Sequence, residues 1–295
     1  MRSARVRIDS QATWYHCYNR ICGTREDLPF GDLEKAQFVR VLRKVSRLYS
    51  VRIVAYQVMS NHFHLLVQAP SQTPGPEEMC RRYKAFHRGL RTIEPDSPAC
   101  RIWQERSRDI SWFMRHLQQI FTIWYNRSRP IRRRGPLWTD RFKHSLLESG
   151  SAVWACWTYI ENNARRAGLV REAGDYRYGS YGVWRQSGRH PFEEQVMEAG
   201  WPMLQESLGI SSWTDLREAM DHALGAGASS VSAAAGRRVR YWTQGLVIGS
   251  RLYLSWVMSH YRSAPAVRRH RSSRMDLSGA SAIYAWRRLR SVEGI

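Results

Sequence analysis

The segment Val58-Met59-Ser60-Asn61-His62-Phe63-His64-Leu65-Leu66-Val67 constrains this chain more than any other. Successive side chains of a strand point to opposite faces, so His62 and His64 share one face with Leu66, while Phe63, Leu65 and Val67 line the other. The apolar strip packs on a core, and the opposite face presents two imidazoles about 6–7 Å apart at the backbone. From that spacing both can reach one metal ion. Two histidines are not a complete site, and the strand alone fits a pair of half-buried histidines with no ligand role equally well.

Composition narrows the partner. The chain has 295 residues, 43% of them hydrophobic, with 13 Trp and 14 Tyr, which is ample for a large core. Its formal net charge of +21 points to a polyanion, nucleic acid above all. The only lysines are Lys35, Lys44, Lys84 and Lys143, so arginine carries most of the charge. Arginine grips phosphate bidentately and stacks on bases. No apolar run reaches the roughly 18 residues that span a bilayer, so no membrane partner is expected. Residues 1–7 lack the apolar region of a secretory signal, and the expected location is cytoplasmic, associated with the nucleoid. Cys17, Cys22, Cys80, Cys100 and Cys156 are scattered, without a Cys-x-x-Cys pair. They read as reduced thiols, and no second pair completes a zinc site with Cys17 and Cys22.

Along the chain, 13–21 is rich in strand formers, 31–49 repeats apolar positions at helical spacing, and 51–59 and 61–68 read as two further strands. Residues 71–108 are polar, with a basic helix expected over 77–90. A strong amphipathic helix covers 109–127 and runs into Arg127-Ser128-Arg129-Pro130-Ile131-Arg132-Arg133-Arg134-Gly135, where Pro130 and Gly135 break it. A loop and strand follow over 137–148, and a helix over 151–166 ends before Gly168. This order predicts an α+β fold with helices against a mainly antiparallel sheet. The division expected is a domain over 1–186 and a basic, mostly helical C-terminal extension over 187–295. That extension has a glycine- and serine-rich patch at 225–230 and basic stretches at 268–271 and 287–290.

The helix over 151–166 places Tyr159 and Asn163 one turn apart on one face. In a basic DNA-binding protein a tyrosine hydroxyl can attack a phosphodiester. A divalent cation held by two imidazoles and one amide oxygen would polarise that phosphate. Most of the tyrosines must be packing or surface residues, and Tyr159 alone carries no such assignment.

Three pieces occur in order: Tyr56 through Leu66, Gly135 through Lys143 (Gly-Pro-Leu-Trp-Thr-Asp-Arg-Phe-Lys), and Tyr159 through Val170 (Tyr-Ile-Glu-Asn-Asn-Ala-Arg-Arg-Ala-Gly-Leu-Val). Together they resemble the single-tyrosine HUH transposases, specifically the REP-associated tyrosine transposases, over roughly residues 10–185. His62-Phe63-His64 matches the histidine–hydrophobic–histidine motif. The resemblance implies a ferredoxin-like antiparallel sheet flanked by helices. It implies His62, His64 and Asn163 as ligands of a divalent metal, Mg²⁺ or Mn²⁺, and Tyr159 as the nucleophile. The family commonly has Asn-Pro-Val where this chain has Asn163-Ala164-Arg165, which leaves Asn162 as the other candidate for the third ligand. The implied reaction cuts and rejoins single-stranded hairpin DNA through a 5′-phosphotyrosine, with no nucleotide cofactor, by a monomer or homodimer. Arg127, Arg129, Arg132, Arg133, Arg134, Arg141 and Lys143 are candidates for gripping hairpin phosphates, and Trp138 for stacking on a base. A solvated charge run and a core tryptophan are the plainer readings of those residues. The alternatives for the whole chain are a non-catalytic regulator bound to repeat DNA and an RNA-binding protein.

Overall fold

The computed structural model describes residues 8, 10–24, 29–225, 242, 245–261, 270–275 and 283–288. Residues 1–7, 226–230, 268, 269, 289 and 290, on which parts of the reading above fall, lie outside the described residues. The first half runs β1 (Thr13–Arg20), α1 (Asp32–Ser46), β2 (Arg52–Val58), β3 (His62–Ala69), α2 (Pro76–Phe86), α3 (Pro98–Ser107), α4 (Ile110–Arg127) and β4 (Lys143–Leu147). There follow α5 (Ser151–Glu161), α6 (Asn163–Arg166), α7 (Ser180–Ser187), α8 (Glu193–Ala199), α9 (Trp201–Leu208) and α10 (Trp213–Leu224). The last described elements are β5 (Gly245–Gly249), α11 (Arg251–Tyr261), β6 (His270–Met275) and β7 (Ile283–Arg288).

Among the described residues the fold is α+β around a seven-stranded sheet of order β2-β3-β1-β4-β5-β7-β6. One correction to the sequence reading follows. The sheet is mixed, because β4 and β5 pair in parallel through Leu146–Val247 and Leu147–Ile248 while the other neighbours are antiparallel. Beyond residue 187 more than half of the described residues are helical, in α8 to α11, as expected, and β5, β7 and β6 add strands to the same sheet. The run Leu246-Val247-Ile248 explains this, since Val247 and Ile248 are fully buried and such a short apolar strand is stable only inside a larger sheet.

Period-two alternation sorts side chains between two cores. Tyr15, Cys17, Phe63, Leu65 and Val67 face α1 and α4 through Phe38, Leu42, Phe113 and Phe121. Trp14 and Leu66 face the other way, onto Val153, Cys156, Trp157 and Ile160 of α5. The side chain of Asp109 starts α4 by accepting from the Ser111 N–H at 2.6 Å. Gly150, at φ 82°, turns β4 into α5; a side chain there would also meet the Ser207 hydroxyl 2.8 Å away. Tyr159 is thereby delivered to the histidine face of β3.

Candidate active site

On that face, His62 and His64 hold their rings 5.2 Å apart and nearly perpendicular. His64 is buried and His62 partly exposed. Antiparallel register places Tyr18 beside His64 and Arg20 beside His62, and the Tyr18 ring stacks on His64 at 5.6 Å. One residue pair deeper, the His16 ring lies nearly coplanar with His64, edge to edge at 5.1 Å between centres, with His16 Nε2 2.9 Å from His64 Nδ1. The other ring nitrogen of His16 meets the Trp242 carbonyl at 2.9 Å. Burial lowers the pKa of His16 to about 4. Burial, and then the charges of His16, His62 and Arg166, hold His64 well below the usual histidine range.

Tyr159 sits edge-on to both buried imidazoles, 5.9 Å from His64 and 6.0 Å from His16 between ring centres. Trp242 stacks on its other side at 5.3 Å. Burial pushes the phenol up from its ordinary value, and the Arg166 guanidinium, 4.6 Å from the ring centre, works against that rise. Helix α5 therefore brings the sequence-identified tyrosine to the sequence-identified histidines.

The junction of α5 and α6 is held by buried polar groups. Gln57, beside His64 in the β2–β3 register, donates to the Glu161 carbonyl at 3.0 Å and accepts from the Ala164 N–H at 3.0 Å. A proline at 164 would have no N–H to offer to this clamp. The Glu161 carboxylate accepts from the Ser180 hydroxyl and, at 3.1 Å, from the Tyr181 N–H. Burial raises its pKa to about 7.

The two asparagines at this junction differ. Asn163 is buried and its amide nitrogen donates to the carbonyls of Tyr159 (3.1 Å) and Ile160 (3.3 Å), at the C-terminal end of α5. Asn162 Oδ1 is buried with no hydrogen-bond partner. A buried amide oxygen without a donor fits a site that takes a cation. Among the described residues no three His, Cys, Asp or Glu side chains group around a metal, so a cation here would need an amide oxygen beside His62 and His64. Two imidazole nitrogens and one amide oxygen suit Mn²⁺ better than Mg²⁺, which prefers oxygen ligands throughout.

The basic residues divide. Arg127, Arg132, Arg133 and Arg134 line, with Ile123, Asn126 and Gly135, a concavity of about 430 Å³. Arg133 is committed within the loop, donating to Asn126 Oδ1 at 3.0 Å and the Pro136 carbonyl at 2.8 Å. Arg129 is paired with Glu34 and lies over the Tyr125 ring at 4.3 Å. Trp138 is half-buried against the core: its ring packs on Phe63 at 5.3 Å, on the face opposite the histidines, and its N–H donates to Thr122 at 2.9 Å. Arg141 and Lys143 are exposed. Lys143 pairs with Tyr18 in register, its ammonium 5.8 Å from that ring. The loop before β4 runs past the His62 end of β1, through the Ile21–Trp138 bridge and a 2.9 Å bond from Asn19 to the Asp140 carbonyl.

Sequence reasoning missed His16, Gln57, Arg166 and Trp242. The alternation of β1 puts His16 on the Trp14 face, but only the strand order brings it to His64. No protein-family model matches the chain, and no curated protein matches it. Among solved structures, a REP-associated tyrosine transposase bound to a REP hairpin aligns with 65% of this chain and 90% of its own, at 16% identity and a TM-score of 0.42. That is a distant likeness from which no chemistry follows.

Proposed function

We propose that this chain is a divalent-metal-dependent, single-stranded DNA endonuclease and strand transferase of the single-tyrosine HUH type, acting on hairpin DNA. The observation that carries the reading is the Tyr159 ring edge-on to His64, with His62 on the same strand face. The strand order β2-β3-β1-β4, antiparallel throughout, supports the ferredoxin-like core of that class.

His62, His64 and the amide oxygen of Asn163 or Asn162 would hold the cation, which when bound supplies Lewis-acid polarisation of the scissile phosphate. The remaining work belongs to the chain. Tyr159 Oη attacks phosphorus, the phenolic proton leaves, and a 5′-phosphotyrosine forms as the 3′-oxygen departs. Arg166, against the Tyr159 ring, favours negative charge on the attacking oxygen and on the phosphate. Attack by another strand's 3′-hydroxyl reverses the step, so bond energy is kept and no nucleotide is required. Arg127, Arg132, Arg134, Arg141 and Lys143 face solvent and are available for hairpin phosphates.

A second reading has one observation in its favour: Trp242 stacks on Tyr159 and covers it. Under that reading the chain binds repeat DNA without cutting it. Incubation of labelled hairpin DNA with the protein and Mn²⁺ or Mg²⁺ separates the two. The first reading gives a denaturant-resistant adduct lost in Tyr159→Phe; the second gives a bound complex that dissociates in denaturant.

A further inference from the structure

Both ring nitrogens of His16 are engaged, and the ring is fully buried at a position that an apolar residue would fill more cheaply beside Leu66, its cross-strand neighbour. We infer that His16 is a positioning residue that fixes His64 in the tautomer able to ligate a divalent cation through Nε2, with the Trp242 carbonyl as the anchor of the relay. The inference rests on the reading of His62 and His64 as cation ligands.

The direction of the relay follows from one constraint. A carbonyl oxygen only accepts, so the 2.9 Å contact with Trp242 requires the proton on His16 Nδ1. A neutral His16 then has a bare lone pair at Nε2. The 2.9 Å contact from that atom to His64 Nδ1 therefore requires the proton on His64 Nδ1. In a neutral His64 the lone pair is left at Nε2, the atom a cation needs. The two rings lie nearly coplanar and edge to edge, with centres 5.1 Å apart and 14° between planes, so the hydrogen bond fixes the imidazole's orientation as well as its tautomer. Histidine ligands are commonly held in this way by an outer hydrogen-bond acceptor. Here the acceptor is a second neutral imidazole rather than a carboxylate. It orients the ligand without placing a negative charge beside the position of the incoming phosphate.

The relay also gives the segment around Trp242 a part in the site. That residue lies far along the chain from the HUH strand, yet its carbonyl sets the protonation pattern two rings away. Ser145 of β4 stands beside His16 in register, and its hydroxyl donates to the Gly245 carbonyl at 2.7 Å. The same hydroxyl lies 3.5 Å from the Trp242 carbonyl itself.

Two readouts on the full-length chain test this. In metal-free protein labelled with ¹⁵N-histidine, His64, identified by its loss in a His64 variant, is expected as the Nδ1–H tautomer. Finding the Nε2–H tautomer overturns the inference. In Mn²⁺ titrations followed by the EPR signal of the free ion, His16→Phe is expected to weaken binding about 10- to 100-fold. His16→Gln, whose amide oxygen can accept from His64 Nδ1, is expected to stay within a few-fold of wild type. Equal Mn²⁺ uptake by wild type and a folded His16→Phe overturns the role of His16 and leaves the ligand reading standing. No uptake by wild type overturns both. If His16→Phe does not fold, the wild-type tautomer and the His16→Gln titration decide.

Discussion

The Arg166 guanidinium carbon lies 4.6 Å from the centre of the Tyr159 ring. It is the cation packed on the residue read as the nucleophile, and its field also reaches His64. Its substitution should therefore act on chemistry more than on binding. Removing one charge-assisted interaction costs about 1.5–3 kcal/mol, so Arg166→Gln is expected to slow single-turnover adduct formation about 10- to 100-fold. Hairpin affinity should stay within a few-fold, and Arg166→Lys should recover part of the rate. Equal losses in affinity and rate would make Arg166 a binding residue instead.

Gln57 is expected to matter for stability and for the site together. It is fully buried and satisfies one carbonyl and one N–H at the α5–α6 junction. Gln57→Leu leaves both without partners, a loss of roughly 2–4 kcal/mol measurable by urea unfolding. Ala164→Pro removes the N–H and orphans the glutamine oxygen, and is expected to cost about 1–3 kcal/mol. No loss in Ala164→Pro would mean the junction is held without the clamp.

His190 sets a pH dependence. It is buried, its Nδ1 accepts from the Phe192 N–H at 3.2 Å, and burial lowers its pKa to about 3. The unfolded chain carries this histidine near its ordinary value of 6.5. Between those values the unfolded state binds the extra proton, so stability is complete above pH 6.5 and is lost as pH falls toward 3. One proton contributes about 1.4 kcal/mol per pH unit over that window. His190→Gln is expected to flatten the fall in stability between pH 7 and pH 5 by about 2 kcal/mol in metal-free buffer. An unchanged slope would show that His190 is already charged in the folded protein.

Much of the site was legible because it is local. Period-two alternation around His62 and His64 and the one-turn spacing of Tyr159 and Asn163 depend only on neighbours in sequence. The extension of the sheet was not legible, because Leu146 and Val247 pair in parallel across a long stretch of chain and leave no local signal. His16 reads as one more alternating strand residue until β1 is laid beside β3. The arginine run looked uniform in sequence, yet Arg129 is tied to Glu34 and Arg133 to Asn126, contacts that sequence spacing does not reveal.

That division of the arginines has a measurable consequence. Each phosphate contact on a single strand contributes about 0.7 to the slope of log affinity against log salt. The combined variant Arg127→Ala, Arg132→Ala, Arg134→Ala is expected to reduce that slope by about 2. Arg129→Ala is expected to leave the slope unchanged and to cost about 1–3 kcal/mol of stability, because the Glu34 carboxylate loses its charged partner and keeps the Gly31 N–H. A lower slope in Arg129→Ala would place that residue on the DNA.

The central claim is covalent chemistry at Tyr159. The most direct measurement is mass spectrometry of the proteolysed, denatured product formed with single-stranded hairpin DNA and Mn²⁺. The expected result is a 5′-phosphonucleotide on the peptide carrying Tyr159, absent in Tyr159→Phe and in His64→Ala. An adduct on another residue, or efficient nicking by Tyr159→Phe, would contradict it.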